Sequence, residues 1–459
     1  MSSYDIDSFR PLTFHDAVPD FLAGKDSPSA YLERCIAVIE ERDPVVKAWQ
    51  ALRLDGARAD AAASDARYAA GAPLSLIDGM PIGLKDLIAT HDLPTGLGIE
   101  GNEGAITNQD SASVQALRAA GAVILGKVTT TELGGGWPSK TTNPFDPART
   151  AGGSSSGSGA AVGAGMVPVA LGTQVGGSII RPAAFSANVA IKPTLGALHR
   201  GERQGLSQAC LGVHAGSLED LWRTAMAIGS RTGGDPGQPG LFGGDELSPA
   251  IKPLRLAVVE SEGWSNADPA ALKALDAILG QLEDLGVAIL RRRDESAVEA
   301  LEESIASTMP MSGVLITYEN RWLFENLMRT MPEKLSPMTL RNVEVGKGIP
   351  LPAYRKALAD REAARHRLRD LAPMCDALIT LSCTGPAPLI QPPGPGVLAT
   401  GDASFNCFTS ALGGPALTLP LIECRSMPVG VQLIGQWHSD DRICGMGRWM
   451  MDKIKPVKV

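Results

Sequence analysis

The chain has 459 residues, a net charge of −8 and an isoelectric point near 5.4. That acidic balance disfavours nucleic acid or an anionic membrane surface as the main partner, since both select basic patches. Hydrophobic residues at 44% and charged residues at 20% describe an ordinary globular chain, long enough to bury a large core, and exclude a disordered or fibrous one.

At the N-terminus, Met1-Ser2-Ser3-Tyr4-Asp5 lacks a basic stretch leading into an apolar one, so no secretory leader is expected. Residues 27–70 read as two helices. Ser27 caps the first, with Pro28 at its first position and Leu32, Cys35, Ile36 and Ile39 on one face; an Ala-rich stretch then runs to Ala69. From about 76 to 225 short apolar runs alternate with glycine. Asp110 to Ala120 reads as a capped helix ended by Gly121. Ala122–Val128 and Val167–Gly172 read as strands, the alternation of an α/β sheet. Gly233–Gly244, rich in Gly and Pro, reads as a surface connection.

Residues 265–372 carry longer helical patterns, such as Pro269–Leu285 and Leu351–Leu371, and read as a helical region laid over the core. Strand patterns return at Ala377–Leu381, Ala416–Pro420 and Val429–Ile434, expected to complete the same sheet, so that one interwoven domain spans 1–459. No window of about 18 apolar residues occurs, so no membrane-spanning helix is expected. The seven cysteines are scattered, odd in number and without a CxxC pair, which fits free thiols in the cytoplasm. The six histidines show no metal-ligand spacing, so neither metal nor organic cofactor is expected.

Three segments carry the chemistry. The first is Gly79-Met80-Pro81-Ile82-Gly83-Leu84-Lys85-Asp86. A lone lysine is ordinarily a solvated surface charge. Here an apolar approach could bury the stem of Lys85, and a desolvated lysine can serve as a neutral base for a serine. The second is Gly152-Gly153-Ser154-Ser155-Ser156-Gly157, continuing to Gly165. A flexible linker is one reading, but the run passes directly into small apolar residues at helical spacing, which implies backbone packed on backbone. A phosphate cradle would need a Lys-Ser/Thr pair at its end, and none is present. The G-x-S-x-G pattern at Gly153–Gly157 follows no apolar strand, so the nucleophile-elbow context fails. The third is Gly172-Thr173-Gln174-Val175-Gly176-Gly177-Ser178-Ile179-Ile180-Arg181. Paired glycines before a serine let successive N–H groups converge, as an oxyanion hole requires; an ordinary Gly-Gly turn fits the stretch equally well.

Together these segments resemble the amidase signature family, whose members carry a G-x-K-D lysine, a G-G-S-S-[SG]-G-[ST] loop and a G-G-S-I turn in that order. The resemblance is strong over 27–225, and it resumes at Phe405–Ala416 and Met427–Gly435. It implies an α/β fold: a central mixed β-sheet covered by helices on both faces, with a helical substrate-covering region. The catalytic-core motifs would lie in 27–225, the variable helical region in 265–372, and a C-terminal part completing the core in 376–450.

By the same resemblance, Ser178 is the nucleophile and Lys85 the base. Ser154 relays between them, preceded by a cis peptide at Gly153. The N–H groups of Val175, Gly176, Gly177 and Ser178 form the oxyanion hole, and Ser155, Gln174 and Arg181 support the network. The implied partner is a small-molecule amide-type substrate, with anilides, esters or carbamates as extensions of the same chemistry, in a homodimer by the family's habit. Two positions depart from the usual G-T-D-T-G-G-S-I-R: Gln174 replaces an aspartate, and the arginine sits one residue later at Arg181. These departures disfavour the glutaminase component of a tRNA amidotransferase complex, the second reading; a silent binding protein of the same fold is the third. Met309–Met311, Tyr318–Phe324 and Trp137 are either walls of an apolar substrate pocket or packing residues.

Overall fold

A computed structural model describes residues 4–201, 206–394 and 396–459. Twelve strands form one mixed sheet. They are β1 (Trp49–Leu52), β2 (Pro81–Lys85), β3 (Val123–Val128), β4 (Val169–Gln174), β5 (Val189–Lys192) and β6 (Cys210–Ala215), then β7 (Arg255–Val258), β8 (Ala288–Leu290), β9 (Ala377–Leu381), β10 (Ala416–Cys424), β11 (Met427–Ile434) and β12 (Val457–Lys458). The order across the sheet is β1-β3-β2-β4-β6-β5-β10-β11-β9-β7-β8, with β12 beside β10.

Both faces of the sheet are buried, and the pleat shows it. Along β3, Ile124 packs into one apolar cluster while Val123 and Leu125 pack into another; along β4, Val169 and Leu171 part from Ala170 in the same way. One face carries the helices Pro28–Val46, Leu54–Ala69 and Ser156–Gly163, the other Ala112–Ala119, Leu218–Thr232, Pro269–Asp284 and Asp440–Lys453. This is the expected α/β architecture.

The glycine-rich run forms the helix Ser156–Gly163, in which every residue is buried. A Cβ on Gly157 would overlap the Thr129 nitrogen and the Ala48 carbonyl, and one on Gly163 the Ser186 carbonyl. Glycine is required there because backbone meets backbone. The linker reading is excluded.

Several boundaries differ from expectation. A strand, Trp49–Leu52, separates the two N-terminal helices. Ser27 does cap the first helix, accepting from the Ala30 N–H. Asp110 does not cap the helix at 112–119; its carboxylate accepts from the His91 N–H instead. Within 265–372, Pro269–Asp284 and β8 belong to the sheet, since β7 and β8 are parallel neighbours and the helix packs on β9 and β10. The helices Ser296–Ile305 and Leu351–Asp370 also pack on the sheet, through Val298, Leu301, Ile305, Ala364 and Leu368 against Ala257, Leu378, Ala416 and Ile434. At the other end the sheet extends past 450, to β12.

Candidate active site

The site lies where three parallel strands end. β2 runs parallel to both β3 and β4, and Lys85, Val128 and Gln174 are their last residues. Carboxyl ends of parallel strands are where α/β sheets place their ligands, because the chain must leave the sheet in loops there.

Lys85 is completely buried. Its Nζ lies 2.7 Å from Ser154 Oγ, 2.9 Å from Thr173 Oγ1, 3.0 Å from Ser155 Oγ and 3.3 Å from the Thr173 carbonyl oxygen. All four neighbours are neutral oxygens. Burial without a carboxylate holds the amine well below the ordinary lysine range, toward its uncharged form. A neutral amine has two N–H bonds and one lone pair, so the contacts allow it to accept one hydroxyl proton while donating to two other oxygens.

The Gly153–Ser154 peptide is cis. The Ser154 carbonyl accepts from the Thr131 N–H at 3.2 Å and the Thr130 hydroxyl at 3.1 Å. The Gly153 carbonyl accepts from Arg181 Nη2 at 2.7 Å. Ser155 ties this loop to β4: its hydroxyl donates to the Thr173 carbonyl at 3.2 Å and accepts from the Thr173 N–H at 3.3 Å. The Ser155 N–H donates to the Ser178 carbonyl at 3.3 Å, which sets the third candidate serine beside the loop. Ser178, Val175 and Gly176 are half-buried, and Gly177 is buried. Among the described residues the N–H groups of Gly176, Gly177 and Ser178 have no acceptor.

The two departures from the usual pattern have definite places. Gln174 Oε1 accepts from the N–H groups of Ile179 at 2.9 Å and Ile180 at 3.1 Å, and Nε2 donates to Ser410 Oγ at 3.1 Å and Thr409 Oγ1 at 3.4 Å. Arg181 is buried and donates through Nε to the Thr400 carbonyl at 2.7 Å. Burial lowers its guanidinium to about 10, which leaves it charged at neutral pH.

Sequence reasoning missed Thr173, Thr130, Thr131, Thr400 and His214. The threonines at 129–131 follow directly on an apolar strand, a signal of a strand end. His214 on β6 is wholly buried beside Gly172, where a Cβ would stand 2.8 Å from its Nε2 and 2.9 Å from Ser155 Oγ. Burial pushes its imidazole down to about 3, so it stays neutral.

Trp137 lines a cavity of about 680 Å³ together with Thr130, Glu132, Asp86 and Leu335. The other aromatic and Met candidates fall elsewhere. Met311 packs with Leu315, Ala357 and Ala411 between helices, Tyr318 stacks on Tyr354, and Trp322 is 63% exposed. One group, His91, Asp92 and Asp110, has the proximity of a metal site. Arg118 already bonds Asp92 at 2.6 Å and Asp110 at 3.0 Å, so guanidinium supplies the positive charge there.

The Amidase family matches residues 30–444. The chain is 30% identical to a glutamyl-tRNA(Gln) amidotransferase subunit of Chloroflexus aurantiacus over 95% of each chain. It is also 30% identical to AtzE, a 1-carboxybiuret hydrolase subunit of Pseudomonas sp. (strain ADP), over 95% of this chain and 97% of the other. A crystal structure of an amidase superposes with a TM-score of 0.84 at 25% identity, covering 96% of this chain and 100% of that one. The chain belongs to the amidase signature family. It is an amide-hydrolysing enzyme, and none of its described helices is long and apolar enough to cross a membrane.

Proposed function

We propose that this enzyme hydrolyses the C–N bond of a small-molecule amide through an acyl-enzyme on Ser178, with Ser154 as relay and Lys85 as base. The observation that carries the reading is the buried Lys85 amine, 2.7 Å from Ser154 Oγ and, among the described residues, without a carboxylate partner. A charged lysine could only donate; a neutral one can take a proton.

In this mechanism Ser178 Oγ attacks the substrate carbonyl carbon while its proton passes to Ser154, whose own proton passes to Lys85 Nζ. The carbonyl oxygen becomes an oxyanion, received by the N–H groups of Val175, Gly176, Gly177 and Ser178. Collapse of the tetrahedral intermediate breaks the C–N bond, and the proton returns from Lys85 through Ser154 to the departing nitrogen. Protonating that nitrogen is what lets an amine leave. Water then repeats the cycle on the ester, releasing the acid and freeing Ser178. Ser155, Gln174 and Arg181 hold the pieces: Ser155 fixes the relay loop to β4, Gln174 the start of the helix after Ser178, and Arg181 the carbonyl before Ser154.

The seven cysteines are buried and unpaired, in keeping with a reducing cytoplasm. Similarity to the glutamyl-tRNA(Gln) amidotransferase subunit supports a second reading, release of ammonia from glutamine for a partner protein. Turnover of free glutamine together with co-purifying subunits would favour it over a stand-alone amidase.

The test is peptide-level mass spectrometry after a fluorophosphonate serine probe, on wild type and Lys85→Ala. A single adduct on Ser178 that forms more slowly in the lysine variant is expected. No adduct on active protein, or one on Ser155, would overturn the assignment.

A further inference from the structure

We propose that Gln208 is a positioning residue for the anion-receiving turn, orienting the Val175–Gly176 peptide, and that the helices of the variable region hold Gln208 in place through Ser207. This rests on the reading of Ser178 as nucleophile.

β4 and β6 are antiparallel, and their last pair on this side is Gln174 with Cys210. Beyond it the β4 chain leaves the sheet to form the turn Val175–Ser178, and the backbone ladder ends. Gln208 lies two residues before Cys210, fully buried, and its Nε2 donates to the Val175 carbonyl at 3.1 Å. A side chain thus takes over where strand pairing stops. In a trans peptide the carbonyl and the following N–H point in opposite directions. Pinning the Val175 carbonyl on the β6 side therefore aims the Gly176 N–H away from β6, and that N–H has no acceptor among the described residues.

The chemistry of Gln208 argues against mere filling. Its Oε1 is buried without a partner among the described residues, a desolvation penalty that an apolar side chain of the same size would not carry. The bond the amide makes is the one to Val175. Only the nitrogen end can donate to a carbonyl, so the orientation of the amide is fixed by that bond.

The adjacent residue is clamped from outside the sheet. Ser207 donates through its N–H at 2.8 Å and its hydroxyl at 2.5 Å to the Glu319 carboxylate, and accepts from Arg361 Nη1 at 2.7 Å. The Tyr354 hydroxyl adds a further bond to that carboxylate at 3.0 Å. Glu319 belongs to the helix Thr308–Thr330, and Tyr354 and Arg361 to Leu351–Asp370. The segment that covers the core and the turn that receives charge are thereby joined through two consecutive residues.

The test compares Gln208→Met, which keeps the size and removes the donor, with wild type on the best p-nitroanilide from a panel, alongside the rate of fluorophosphonate labelling at Ser178. Losing an oxyanion donor outright costs about 10²–10³ in turnover. A donor present but misaimed is expected to lower kcat and the labelling rate about 10- to 100-fold, with KM changed less than about threefold and the melting temperature little moved. Glu319→Gln is expected to lower kcat about threefold to tenfold in the same pattern, and it serves alone if Gln208→Met does not fold. An unchanged kcat in the folded variant, or kcat and KM moving together with stability, would overturn the proposal. If wild-type labelling falls on a serine other than Ser178, the catalytic reading itself fails; Ser178 labelling with an indifferent Gln208 sinks only this inference.

Discussion

Replacing Lys85 by alanine tests the relay most directly, because the amine is asked to do two different things. In the proposed mechanism it first accepts a proton, by way of Ser154, as Ser178 attacks, and then returns it to the departing nitrogen. Its four oxygen neighbours within 3.3 Å and its complete burial hold the amine in place for both steps, and a water entering the void left by alanine would be a far weaker base. Each general acid–base contribution is typically worth about 10²–10⁴ in rate. An amide should therefore lose about 10³ or more, roughly 4 kcal/mol of transition-state stabilisation. A p-nitrophenyl ester of the same acid has a leaving group that departs as an anion. It needs only the first step, so its loss should be smaller by at least about tenfold. The assay is kcat/KM for matched amide and ester on wild type, Lys85→Ala and Lys85→Met, the last retaining most of the side-chain volume. Equal losses on the two substrates would refute the return of the proton to the leaving nitrogen and leave lysine, at most, as a base.

Two further outcomes follow from the same burial. Since desolvation lowers the Lys85 pKa, amide turnover should fall on the acid side, as the lysine takes up a proton, and hold toward alkaline pH. Folding must also strip that proton below the unfolded lysine pKa of about 10.4. Between the folded and unfolded values the wild type should gain stability relative to Lys85→Met by up to about 1.4 kcal/mol per pH unit; chemical denaturation at several pH values checks the sign. Separately, Gly157→Ala would drive a methyl into the Thr129 and Ala48 backbone. It should destabilise the protein by about 3 kcal/mol, seen as a lower melting temperature, and an unshifted one would contradict the packing argument.

The site was legible in the sequence to the extent that its chemistry depends on residue type in a fixed local order. Lys85 lies within hydrogen-bond distance of the side chains of Ser154 and Ser155, and Ser178 sits beside them through its carbonyl. What stayed hidden acts across the fold. Gln208 and Thr400 work through backbone carbonyls or side chains far away in the chain, with contacts that no local pattern encodes. The fold shows the same division. β9, β10 and β11 announce themselves as apolar runs between turns, while β6, Cys210-Leu211-Gly212-Val213-His214-Ala215, has a glycine and a histidine within it. Burial on both faces removes the alternation that would mark it as a strand. β1 is only four residues long, and β8 three, wedged between helices that dominate the pattern.

The two departures from the family's usual nucleophile loop make physical sense together. An acceptor is needed at position 174 because the N–H groups of Ile179 and Ile180, at the start of a short buried helix, would otherwise be unsatisfied. A carboxylate could meet that need. The amide of Gln174 meets it as well, and its nitrogen adds bonds to Ser410 and Thr409 that a carboxylate oxygen could make only by accepting. Gln174 also follows directly on Thr173, whose hydroxyl and carbonyl both contact Lys85. A nearby negative charge would favour the protonated lysine, so a neutral acceptor here helps to keep the amine a base. Arg181 holds the other side of the same loop. Its guanidinium donates to the carbonyls of Gly153 and Thr400, with the Asp402 carboxylate as a more distant countercharge, and it stands one bond away from the loop that carries Ser154. In the proposed relay, Gln174 thus secures the helix after Ser178 without placing a charge near Lys85, while Arg181 secures the carbonyl before Ser154.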